Sequence, residues 1–238
     1  MRILITNDDG IGAPALAPLA AWASQLGEVT VIAPRVEQSG KSHAIDFHRP
    51  LRIEQVTLEG GIAAWSVDST PADCVRFGVL GLKTRYDLVL SGVNRGYNLG
   101  RDIVYSGTAG AIFEAARLDM PGIALSTDFG DSAPALAQLD AVKSYMEQHK
   151  LLEMCSHWNV NIPPVSDGFR ITRQGGIFFT DEFAPQGDNM YQQVGHPVVY
   201  DELPHEWDIT AVGEGCISLM PLATSLTDLA VYQKLTSK

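Results

Sequence analysis

Residues 2–11 read Arg2-Ile3-Leu4-Ile5-Thr6-Asn7-Asp8-Asp9-Gly10-Ile11, a short β-favouring run cut off by an Asn-Asp-Asp-Gly turn. A second such run, residues 28–33 (EVTVIA), stops at Pro34. Between them, residues 13–26 are rich in Ala and Leu, with Leu16, Leu19, Ala20 and Ala23 at the i, i+3, i+4, i+7 spacing of a buried helical face. Strand, crossover helix and strand form a βαβ unit, which implies neighbouring parallel strands joined by a right-handed crossover.

The pattern recurs downstream. Residues 86–90 (YDLVL), a helix over 108–118 and a strand over 122–126 (GIALS) predict a doubly wound, mainly parallel, Rossmann-like α/β sheet. A further helix is expected over 136–152, with strands at 160–162 and 169–172. The stretch 175–207 carries Phe178, Phe179 and Tyr191 around the turn formers Pro185, Gly187, Asp188 and Asn189, which suits a β-hairpin flap. Residues 216–220 (CISLM) form a last strand, and the tail places Leu226, Leu229, Ala230 and Leu235 as one apolar side of a short helix. That side packs on its own core or on a partner subunit.

Composition narrows the function. The formal net charge of -11 excludes duplex nucleic acid as a partner, because neutralising phosphates takes clustered Lys and Arg. An anionic substrate would instead need a local device: a metal ion, a few Arg side chains or a helix N-terminus. The three cysteines, Cys74, Cys155 and Cys216, are far apart and form no CxxC pair, which argues against a disulfide framework or a thiolate zinc site. No apolar window reaches the ~18 residues of a membrane span, and the N-terminal run is too short for a signal-peptide core. A cytoplasmic protein without membrane attachment is expected.

In open α/β sheets ligands bind at the carboxyl ends of strands, so polar residues there carry most weight. Asp8 and Asp9 follow the first strand, and adjacent carboxylates repel unless a cation lies beside them. Taken alone, such a tripeptide is as often a simple turn. Residues 91–100 (SGVNRGYNLG) follow YDLVL, with glycines at intervals of four and the neutral oxygens of Asn94 and Asn98. Ser106, Gly107 and Thr108 open the next helix, where a hydroxyl caps and free N–H groups with the positive dipole end attract an anion. Residues 37–43 contain GKS, but the Walker glycine position is Arg35, so a P-loop is rejected; no GxGxxG follows the first strand either. Carboxylates with Ser and Asn oxygens suit a hard ion such as Mg²⁺ or Mn²⁺. The six histidines show no ligand-like spacing.

These residues closely resemble the SurE family of survival-protein nucleotidases. The markers are ILITNDDGI (3–11), APRVEQSGKSHAI (33–45), SGVNRGYNLG (91–100), YSGTAGAIFEA (105–115), NVNIP (159–163), ITRQG (171–175) and DITAVGEGCISLMPL (208–222). The resemblance implies a metal-dependent 5′-nucleotidase that hydrolyses nucleoside 5′- and 3′-monophosphates. It implies one divalent cation, Mg²⁺ or Mn²⁺, on Asp8, Asp9, Ser39 and Asn94, and a phosphate pocket of Asn98, Ser106, Gly107 and Thr108. Asp8, Asp9, Asn94 and Ser106 are then the catalytic set. It also implies one SurE-like domain over 1–238, with a metal and nucleotide core over about 1–130 and strands, flap and tail over about 159–238. A homodimer or homotetramer with exchanged C-terminal segments follows from the same resemblance.

The chain departs from the family in two places. Many relatives carry a basic stretch after ITRQG, whereas residues 176–195 here read GIFFTDEFAPQGDNMYQQVG, with no arginine beyond Arg173. The late segment reads CISLMPL in place of a more aromatic form. On the residues alone, a non-catalytic nucleotide or metal sensor and a metal-dependent group transferase remain alternatives, and Asp9 as a carboxylate nucleophile is the alternative to attack by water.

Overall fold

A computed structural model describes residues 1–237. Eleven strands are present among them: β1 (Arg2–Thr6), β2 (Glu28–Pro34), β3 (Ile53–Thr57), β4 (Ala63–Val67), β5 (Leu88–Arg95), β6 (Gly122–Thr127), β7 (His157–Asn161), β8 (Phe169–Ile171), β9 (Phe179–Gly187), β10 (Met190–Pro197) and β11 (Ile217–Pro221). The α-helices are α1 (Leu16–Ala23), α2 (Pro71–Arg76), α3 (Gly107–Arg117), α4 (Ala133–Leu136), α5 (Leu139–Gln148), α6 (Leu151–Met154), α7 (Asp208–Gly213) and α8 (Leu229–Thr236).

Nine strands form one sheet in the order β3-β4-β2-β1-β5-β6-β7-β11-β8. All neighbours are parallel except β3 with β4 and β11 with β7. The expected doubly wound α/β fold is therefore the fold observed. Alternation within the central strands explains its two covered faces. Ile3, Ile5, Leu88, Leu90, Ile123 and Leu125 enter one core with α1 and α5, while Leu4, Val89 and Ala124 enter the other with α2 and α3. Leu16, Leu19, Ala20 and Ala23 are the buried face of α1, as their spacing predicts.

Three differences from the sequence reading have physical causes. Residues 91–95, expected in a loop, continue β5; its pairing with β6 shifts register between Ser91 and Asn94, so the strand carries its polar end onward. The helix expected over 136–152 is broken into α4, α5 and α6. Gln138 donates its side-chain amide to the Pro134 and Pro163 carbonyls, at 3.1 and 2.8 Å, and Lys150 adopts a left-handed φ of 51°. Residues 53–76 hold β3, β4 and α2, where no regular element was read.

The hairpin reading of 175–207 holds. β9 and β10 pair antiparallel through Asp188 and Asn189, both at positive φ (48° and 58°), the conformation a two-residue type I′ turn requires. Among the described residues this ribbon pairs with no other strand. Among the described residues no helix is long and apolar enough to cross a membrane.

Candidate metal and phosphate site

The site is assembled where β1, β2 and β5 end and α3 begins. Asn7 closes the turn after β1: its amide donates to the Gly10 carbonyl at 3.0 Å and its carbonyl oxygen accepts the Gly10 N–H at 3.1 Å. The loop after β2 is sewn to the same turn, since Gln38 N–H donates to the Asp8 carbonyl and Ile11 N–H to the Pro34 carbonyl, both at 2.7 Å. From the other side comes α3, capped by Ser106, whose hydroxyl accepts the Ala109 N–H at 3.0 Å.

Asp8 is 4% exposed, and one of its oxygens accepts the hydroxyl of fully buried Thr108. Burial pushes its carboxyl up to about 6; the Thr108 hydrogen bond opposes the shift and the Asp9 charge adds to it. Asp9 is half-buried and also raised, chiefly by burial. The Arg95 N–H, 3.1 Å from Asp9 Oδ2, offsets part of this, and the Glu37 charge adds to it. Among the described residues the only cation whose charge favours either anion is Arg95, acting on Asp9. Two adjacent, desolvated carboxylates that form no ion pair within 4.0 Å among the described residues have the electrostatics of a cation site.

The approach of α3 to Asp8 is close. A Cβ on Gly107 would lie 3.0 Å from the Asp8 Cβ and 3.1 Å from its Oδ2, so this position tolerates only glycine without displacement. Gly107 and Thr108 head α3, where N–H groups lack intrahelical partners and the dipole is positive. Carboxylate, helix start and β5 end thus meet within one loop cluster.

The remaining site residues of the sequence reading are spread over β5, the loops after β2 and β5, and the start of α3. Asn94 lies half-buried in the last turn of β5 pairing, its amide donating to the Gly96 carbonyl at 2.7 Å. Ser39 sits on the loop stitched to Asp8, but its exposed hydroxyl donates to Glu37 at 2.7 Å rather than to either aspartate. Asn98 faces β6 and β7: its side-chain amide donates to Ser126 Oγ at 2.7 Å and its N–H to Asn161 Oδ1 at 2.9 Å. Thr108 turns both its hydroxyl and its backbone N–H toward the Asp8 carboxylate.

Several residues of the cluster escaped sequence reasoning. Glu37 was visible beside Ser39 but showed no sign of facing Asp9. Asn159 and Asn161 on β7 are fully buried, and both donate to the Asn98 carbonyl, at 2.8 and 3.0 Å. Two asparagines alternating on a core strand were the available signal. His43 Nε2 lies 2.7 Å from buried Glu114, which Arg76 also contacts at 2.9 Å, so this histidine anchors the Ser39 loop to α3. Burial would raise the Glu114 carboxyl, but the hydrogen bonds from His43 and Arg76 and the charges of Arg117 and Arg76 hold it below its usual range.

Among the described residues no three His, Cys, Asp or Glu side chains converge as a metal cluster. The adjacent carboxylates of Asp8 and Asp9, all-oxygen donors, are of the kind a hard divalent ion takes.

Comparison with known proteins identifies the family of the chain. The family model described as Survival protein SurE matches residues 3–181. The 5′-nucleotidase SurE of Gloeobacter violaceus is 40% identical over 95% of this chain and 91% of its own length. That of Thermosipho melanesiensis is 34% identical over 100% of this chain and 97% of its own. The crystal structure of the SurE protein from Aquifex aeolicus superposes with a TM-score of 0.80 at 31% identity, covering 99% of this chain and 98% of that one. Matched along its whole length in sequence and in fold, the chain belongs to the SurE family.

Proposed function

We propose that this protein is a phosphomonoesterase that hydrolyses nucleoside 5′- and 3′-monophosphates to nucleoside and phosphate, with one divalent cation, Mg²⁺ or Mn²⁺, per subunit. The observation that carries the reading is the Asp8-Asp9 pair, Asp8 buried and Asp9 half-buried, with Asp8 set against the N-terminus of α3. One feature attracts a cation and the other an anion, and a Cβ added at Gly107 would touch the Asp8 side chain. A phosphoryl group bridging the two is the ligand that satisfies both. The names of the relatives, 5′-nucleotidases along their full lengths, support the same substrate class.

Asp8, Asp9, Asn94 and Ser39 would hold the ion, Ser39 by turning its hydroxyl from Glu37. A divalent cation there supplies Lewis-acid polarisation of the phosphoryl oxygen and a water of lowered pKa. The protein's own groups set the geometry. Thr108 fixes the rotamer of Asp8, and the Arg95 N–H fixes that of Asp9. The Gly107 N–H and the Ser106 hydroxyl, whose oxygen caps α3 while its proton stays available, would receive the charge that builds on the equatorial oxygens, with Thr108 holding Asp8 beside them. Asn98 lines the far side of the pocket, held by Ser126 and Asn161.

The uncovered surfaces favour a homodimer or homotetramer with exchanged C-terminal segments. In α8, Leu229, Val231, Tyr232 and Leu235 are all more than half exposed, and Phe183 on the free ribbon is 69% exposed. The three cysteines are unpaired, in keeping with a cytoplasmic location, and one continuous nine-stranded sheet supports a single domain over the whole chain.

The test is phosphate release from a panel of nucleoside 5′- and 3′-monophosphates with Mg²⁺, with Mn²⁺ and with chelator. Release that needs the ion and disappears with EDTA is expected; equal release in EDTA would overturn the assignment.

A further inference from the structure

Four fully buried polar side chains, Ser126, Asn159, Asn161 and Asp208, underlie the loop that follows β5. The first three hold Asn98. Asp208, at the start of α7, plays no part in the mechanism above. Its Oδ2 accepts the Gly100 N–H at 2.9 Å, while its Oδ1 accepts the N–H groups of Gly175 and Ile209, each at 2.9 Å. A single carboxylate therefore ties the end of the phosphate-side loop to the root of the β9–β10 hairpin.

The seam around it is continuous. Arg101 N–H donates to the Gly176 carbonyl at 2.8 Å, and the Gln174 amide donates to the Gly100 carbonyl at 3.1 Å. Asp102 Oδ2 accepts the N–H groups of Phe178 and Phe179 at 3.0 and 2.7 Å. The backbones approach so closely that a Cβ on Gly100, at φ 55°, would lie 2.0 Å from the Gly176 oxygen. Burying a carboxylate is costly and is offset here only by its N–H partners, so each is strongly held.

We propose that Asp208 is a positioning residue: it makes the placement of Gly100, and through it Asn98, conditional on the docked root of the hairpin. The hairpin and the phosphate-side loop then respond as one unit. The catalytic consequence rests on the proposed phosphatase reading; the structural one does not.

Asp208→Asn isolates the link. An amide has one acceptor oxygen, and the orientation that keeps two bonds, to Gly175 and Ile209, turns its NH₂ against the Gly100 N–H. In the full-length protein, hydrogen exchange at residues 99–101 is expected to accelerate at least tenfold while residues 209–213 stay protected. With a nucleoside monophosphate at saturating Mn²⁺, kcat should fall about tenfold. The Kd for Mn²⁺, measured without substrate, should stay within twofold, because Asp8, Asp9 and Asn94 do not hang on this link. General loosening would weaken the ion too. Gln174→Ala, which removes only the bond to the Gly100 carbonyl, should show a smaller change of the same sign, and it decides the matter if Asp208→Asn does not fold. Exchange at 99–101 within twofold of wild type in both variants, or an equal rise along the whole chain, overturns the proposal. If wild type protects 99–101 through Asp208 yet hydrolyses no nucleotide, the link stands and the phosphatase reading fails.

Discussion

In Asp8→Asn the first loop keeps its shape but loses a buried charge, and this separates what the carboxylate does for function from what it does to stability. Asp8 has its carboxyl raised from 3.8 to about 6 by burial. Because the folded value lies above the unfolded one, its contribution to stability is fully present below about pH 3.8 and is lost as pH rises through about 6. At pH 7.5 and without metal, the difference amounts to about 3 kcal/mol against the folded state. Asn carries no such charge, and its oxygen can still accept the Thr108 hydroxyl. Its NH₂ replaces an acceptor, which takes back about 1–2 kcal/mol. The net expectation in EDTA at pH 7.5 is a gain of about 1–2 kcal/mol, or a Tm roughly 3–6 °C above wild type. At pH 4.5, where Asp8 is largely protonated, the gap should shrink by more than half. Adding Mn²⁺ at ~100 times its Kd should stabilise wild type by about 2.7 kcal/mol and leave the variant unmoved. Nucleotidase activity of the variant should fall at least 100-fold. Melting by calorimetry in EDTA and in Mn²⁺ at the two pH values is the assay. A variant less stable than wild type in EDTA at pH 7.5, or a gap independent of pH, refutes the reasoning.

Thr108→Val keeps the volume but removes the hydroxyl that holds Asp8 down; the acidic limb of the kcat/KM pH profile should move to higher pH and the plateau fall about tenfold, as initial rates will show. Gly107→Ala forces a methyl against the Asp8 side chain, so phosphate release should drop at least tenfold while circular dichroism stays unchanged. Ending the chain before Leu226 removes the exposed apolar positions of α8, and light scattering should report a smaller assembly than full length.

Elements with a clear period were legible in the sequence. The β1–α1–β2 unit, the burial of Leu16, Leu19, Ala20 and Ala23, and the Asp188-Asn189 hairpin followed from spacing and turn chemistry alone. Polar strands were not. Residues 91–95 pair with β6 although Ser91, Gly92 and Asn94 carry no strand signal, because the neighbouring strand and not local preference sets their conformation. The same limit applied to the site. Asp8, Asp9, Gly107 and Thr108 stood at element ends where ligands bind. Glu37, Asn159, Asn161 and Asp208 act through contacts made across 28 residues or more in most cases, such as Asp208 with Gly100 at a separation of 108. No local pattern encodes such a partner.

The central claim is that the Asp8-Asp9 pair holds the one ion on which phosphate release depends. Titrating metal-free protein with Mn²⁺, counting bound ion by electron paramagnetic resonance and measuring phosphate release from a nucleoside monophosphate in the same samples, tests it directly. One ion per chain, activity rising in proportion to occupancy, and neither seen in Asp8→Asn are the predicted results. Full activity at zero occupancy, or undiminished ion binding in Asp8→Asn, would contradict the account.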